Sequence, residues 1–169
     1  MNESVDARYY RLALYKAKRR DLSGAVQYAR RALRIDAGNK KARLLLGVCL
    51  YELGDLENAV IFLEESTDIL IDARYEQELV GKKLDQAREL AESGKWRKAE
   101  ASLRDIEHQS VRILTIRGCM KAAAGKYLPA ADIFARALEK DKENRAAAAY
   151  LAEAAGRGNK AFWQDRKSL

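Results

Sequence analysis

Between Leu46 and Ser66 the apolar positions fall at Leu46, Leu50, Leu56, Val60 and Leu63, with the small residues Gly47, Gly54 and Ala59 set among them. Apolar residues three and four apart share one face of a helix. The pattern predicts a helix from about Lys40 to Leu53, with Asn39 as its N-cap. Gly54 ends it, because glycine accepts the left-handed conformation of a helix C-terminus. Asp55 then caps a second helix. Gly47 and Ala59 mark where the two helices cross, since larger side chains would hold the backbones apart, and the five apolar residues fill the seam around them.

The same arrangement recurs. Ala13, Gly47, Ala87, Gly118 and Ala152 are spaced by 34, 40, 31 and 34 residues. Ala25, Ala59, Ala99 and Ala130 follow by 34, 40 and 31, and Gly54, Gly94 and Gly125 by 40 and 31. Three markers that shift together define an internal repeat. Asp21 takes the capping place of Asp55, Arg20 stands where the turn glycine would be, and Pro129 falls in the first turn of a helix, where its missing N–H costs little. Six residues are added between the second and third copies. They are expected to lengthen the helices or the loop around Ile71–Leu79, with the stretch Ile69–Gln77 as a hinge or a tolerated surface insertion.

A large apolar residue, Leu-Gly, a Gly-Asp turn, then alanine with an apolar residue four later resembles the tetratricopeptide repeat. The resemblance implies an all-α, right-handed superhelical solenoid of antiparallel helix pairs. One domain over 1–169 would hold about four repeats, at 6–39, 40–73, 80–110 and 111–144, and a C-terminal capping helix pair over 145–169. The third copy is the least regular, with Lys83 and Gln86 at usually apolar places. In the capping unit, Asn144 starts an Ala-rich helix over 145–156, and Ala152 takes the small position. A short final helix over about Lys160–Lys167 is expected to dock Phe162 and Trp163 on it, since an end repeat needs its outer face covered.

Composition agrees with this picture. One proline and 48% apolar residues in 169 suit a folded, nearly all-helical chain. No stretch approaches the ~18 apolar residues of a membrane span, so a cytoplasmic location is expected, with Cys49 and Cys119 as buried thiols. The net charge of +7 is uneven, at +8 over residues 1–50, −8 over 51–80 and +7 over 81–169. Solvated helix faces account for most of these charges.

Chemistry is sparse. His108 is the single histidine, in a loop with no metal-ligand spacing around it. No phosphate loop, dinucleotide fingerprint or nucleophile elbow is present. The expectation is a protein that is not an enzyme and uses no cofactor and no metal.

By the resemblance, the first helix of each pair lines a concave groove. Its binding residues would be Tyr10 and Leu14, then Leu44, Val48 and Tyr51, then Leu84 and Arg88, and finally Arg112 and Thr115. Lys18 and Lys41 edge this apolar strip. It suits a peptide or helix of a partner protein, amphipathic and carrying acidic residues. The expected role is therefore an interaction adaptor or scaffold. Chaperone C-terminal tails are not expected as ligands, because the places that clamp them hold Tyr10, Leu14, Leu45, Gly81 and Asp85. Nucleic-acid binding through the basic edge around Lys16–Arg20, Arg30, Arg31 and Arg34 is the alternative, weakened by the acidic middle and poor aromatic interleaving. Self-association through the C-terminal end is a further one.

Overall fold

A computed structural model describes residues 4–63 and 67–166, with the side chains of 67–69, 71 and 159–166 left out. Among the described residues there are nine helices and no strand: α1 (Val5–Lys18), α2 (Leu22–Ile35), α3 (Lys40–Leu53), α4 (Leu56–Phe62), α5 (Thr67–Glu92), α6 (Trp96–Arg104), α7 (Val111–Ala123), α8 (Tyr127–Lys140) and α9 (Arg145–Arg166). The fold is an all-α helical repeat. It divides into two compact units, one of residues 1–79 with 140–143, the other of 80–139 with 144–169.

In the first unit, α1 packs on α2 and α3, and α3 on α4. The seam holds Ala13, Ala29, Leu46, Leu50, Ala59 and Leu63. Glycine at 47 is required by the crossing: a Cβ there would lie 2.8 Å from Leu63. The caps fall as the sequence predicts. The backbone N–H of Ala42 donates to Asn39 Oδ1 at 3.0 Å and that of Gly24 to Asp21 Oδ1 at 2.8 Å. Asp55 accepts more distantly, from the Asn58 N–H at 3.4 Å. Arg20 takes the turn position in the left-handed region, at φ 60°, where glycine serves in the later turns. The start of α2 has a second cap that sequence did not reveal. Asp141, fully buried, accepts from the Leu22 N–H at 3.0 Å and the Ser23 hydroxyl at 2.8 Å.

In the second unit, α6 packs on α7 and α7 on α9. Ala130, Phe134 and Ala154 lie at the centre of a cluster that Leu151 joins. A Cβ on Gly118 would meet the Phe134 ring at 2.5 Å, the counterpart of Gly47 in the first unit.

Of the two alternatives for the added residues, the longer helix is found: α5 runs 26 residues, against 14 for α1 and α3, straight through Gly81. One expectation changes. The separate closing helix at Lys160–Lys167 is absent, because α9 is one helix from Arg145 to Arg166. No glycine there takes a positive φ to turn the chain. Gly158 instead admits Leu128, whose side chain would lie 2.7 Å from a Cβ at that position. Ala147, Ala154 and Gly158 form the buried face of α9. Ala152, expected at a crossing, is exposed. The docking of Phe162 and Trp163 lies outside the described side chains.

Candidate functional site

The nine predicted groove residues divide between the units. Tyr10 and Leu14 on α1, with Leu44, Val48 and Tyr51 on α3, belong to the first. Leu84 and Arg88 on α5, with Arg112 and Thr115 on α7, belong to the second. None of the nine is buried.

In the first unit, Tyr10 and Leu44 occupy the same register on two packed helices, as do Leu14 and Val48. The Asn39 amide fixes that packing by donating to Asp6 at 2.9 Å. Leu44 stands 44% exposed, more than a core leucine would be. Val48 and Tyr51 lean on the core beneath. The Tyr51 hydroxyl is hydrogen-bonded to Glu76. Burial first, then Glu76, Asp72 and Glu52, hold its proton on far above the usual tyrosine range. The predicted cationic edge is thus incomplete. Lys18 and Lys41 are exposed as expected, but carboxylates surround Tyr51. Lys140 neutralises one of them, with its Nζ 3.0 Å from Glu52.

In the second unit, Arg88 lies 3.5 Å from Asp85 with both side chains about 70% exposed, a pairing worth little in water. The Thr115 hydroxyl donates to the Val111 carbonyl at 2.8 Å, one turn back on its own helix.

The most concentrated polar chemistry is elsewhere, on α6 and α7. Glu100 is fully buried. Its Oε1 accepts from Arg117 Nε at 3.0 Å and Nη2 at 2.8 Å, and its Oε2 from Arg104 at 2.8 Å. Lys121 approaches Oε2 to 3.0 Å, and Arg117 also donates to Gln109 at 2.6 Å. Burial alone would push the Glu100 carboxyl up. Its hydrogen bonds to Arg104, Arg117 and Lys121 outweigh that and hold it at about 2. Sequence reasoning missed this cluster by assigning charges to solvated faces. A signal was present: Glu100 directly follows the crossing alanine Ala99, and Arg117 directly precedes Gly118. Charges beside the seam positions of neighbouring helices are candidates to pair, but only the packed helices show which do.

The two thiols differ. Cys49 is buried, and burial pushes it up to about 11. Cys119 is exposed, which corrects the expectation of a buried thiol. It borders a cavity of about 340 Å3 with Phe134, Tyr150 and Arg157. His108 sits in the loop before α7. Among the described residues no cluster of side chains could hold a metal ion, and no helix is long and apolar enough to cross a membrane.

Antiparallel helix pairs with a small residue at each crossing and a left-handed residue at each tight turn define a helical-repeat protein. Residues 16–76 match the tetratricopeptide repeat model. One similar solved structure shares that fold. The P58(IPK) TPR domain is 18% identical with a TM-score of 0.51, over 88% of this chain and 45% of that one. The chain thus spans less than half of that domain. A thermophilic TPR protein of Thermus thermophilus is 19% identical, over 89% of this chain and 98% of that one, with a TM-score of 0.40. The TPR2AB domain of yeast Sti1, solved in a pHSP90 complex, is 15% identical, over 88% of this chain and 82% of that one, with a TM-score of 0.37. No curated protein matches the chain.

Proposed function

We propose that this protein is a non-catalytic adaptor that receives a peptide or short helix of a partner protein on the face shared by α1 and α3. One observation carries the reading: Leu44 stands 44% exposed in register with Tyr10 on the packed neighbour helix. An apolar anchor held open between amphipathic tyrosines is what a helix or extended segment docks against. Tyr10, Leu14, Leu44 and Val48 supply the apolar contact, and Tyr51 closes one end with its hydroxyl committed to Glu76. Exposed Lys18 and Lys41 favour acidic residues in the partner, and the carboxylates around Tyr51 favour a basic residue at that end. Leu84, Arg88, Arg112 and Thr115 are proposed as contact residues of the second unit. A cytoplasmic location belongs to the same proposal, supported by the free thiols of Cys49 and Cys119.

The test places a photo-crosslinking residue at Leu44, and in a second protein at the outward Gln27 of α2. A partner captured from position 44, absent from position 27 and lost when Tyr10→Ala is added, supports the reading. Equal capture from both positions removes it.

A further inference from the structure

The cluster around Glu100 opens onto a cavity of about 480 Å3 in the second unit. Four cations line it: Arg97 and Arg104 from α6, Lys121 from α7, and Lys126 from the turn before α8. Glu100 is the one carboxylate among the lining residues. Trp96 and Met120 add an apolar wall. Arg104 and Lys121 each spend one donor on Glu100, and both keep N–H groups for something else. Arg97 and Lys126 have no ion-pair partner among the described residues. Like charges gathered at one cavity repel each other, and an anion bound there would relieve that repulsion.

We infer that this cavity binds a phosphomonoester, carried on a phosphorylated side chain of a partner protein. The ligand's charge must be concentrated, because the cations line one confined space and not a strip. A phosphate group brings close to two negative charges and three acceptor oxygens to a single point, and guanidinium groups hold phosphate through paired donors. A run of carboxylates or a nucleic-acid backbone would spread its charge along a line. Trp96 is the only aromatic residue lining the cavity, so successive bases have no second platform to stack on. Trp96 and Met120 suit an apolar residue beside the phosphorylated one. That a protein carries the phosphate rests on the adaptor reading, but the cavity belongs to the second unit and the α1–α3 face to the first.

The test immobilises the protein and offers it pools of short peptides, random but for a central phosphoserine, serine or glutamate, at about 150 mM salt. Retained peptides are quantified by mass spectrometry. The phosphoserine pool should be retained at least about tenfold over the serine pool. Arg97→Glu with Lys126→Glu should abolish that preference. Tyr10→Ala with Leu44→Ala should leave it unchanged, even if the α1–α3 face proves to bind nothing. Thermal melting verifies the fold of each variant, and Arg97→Ala alone, if the double variant fails to fold, should weaken retention severalfold. Equal retention of phosphoserine and serine pools overturns the inference, as does equal retention of the glutamate pool. Inorganic phosphate competing at the peptide's own concentration would overturn the peptide source, and an oligouridine displacing the peptides would point to nucleic acid instead.

Discussion

Glycine does two different jobs in this chain, and the side chains around each position separate them. Gly125 sits in a turn at φ 73° with nothing near its missing Cβ. Alanine there meets only backbone strain, about 1 kcal/mol. Gly118 sits mid-helix, where alanine would strike the buried Phe134 ring at 2.5 Å. Overpacking of that kind costs about 3 kcal/mol. Denaturant midpoints of Gly125→Ala and Gly118→Ala should fall in that order. Adding Phe134→Leu should recover part of the second loss and none of the first, since only neighbours in contact couple. The sequence separates the two jobs, with Gly125 in the turn series and Gly118 in the crossing series, but it does not name Phe134 as the neighbour. Gly158 shows the same limit. It lies just past the Ala-rich helix expected over 145–156, and it lets α9 pass close to Leu128. The pairing of Glu100 with Arg117 was hidden for a related reason: each is an ordinary helical charge until the two helices are laid together.

The helices themselves are where the sequence was most legible. Asn39, Asp21 and Asp55 stand at the N-caps their types predict, and Gly54 ends α3 at φ 91°, because capping is local chemistry within four residues. Asp141 as a second cap on α2 could not be read, since it arrives from more than a hundred positions along the chain. Helix α5 was legible as an anomaly of spacing, with a longer helix as one of two readings. Its Gly81 is exposed, and open space surrounds the place of a Cβ. A glycine inside a helix with no packing reason costs backbone entropy alone. Gly81→Ala should therefore stabilise the protein by about 0.5–1 kcal/mol and raise its melting temperature. A lower melting temperature would show that α5 bends or opens at Gly81 in the working protein.

For the whole molecule, the buried charge cluster sets an acid limit on stability. The Glu100 carboxyl is held at about 2 in the fold against 4.5 in an open chain. Between those values the unfolded chain binds a proton that the folded one does not, so stability rises with pH across the window. The contribution is complete above 4.5 and disappears as pH falls through about 2. Its full size is at most about 3 kcal/mol. Glu100→Gln removes the titration but leaves Arg117, only 7% exposed, without its counter-charge. The variant should be weaker at neutral pH by about 3 kcal/mol. Its stability should also fall less steeply than that of the parent between pH 5 and pH 2.5. Other carboxylates titrate in both proteins and cancel in the difference. Urea midpoints of the two proteins across that range are the measurement. Curves that converge as the pH falls place the acid sensitivity on Glu100, and parallel curves would mean that the cluster stays intact in the unfolded chain or never excludes the proton.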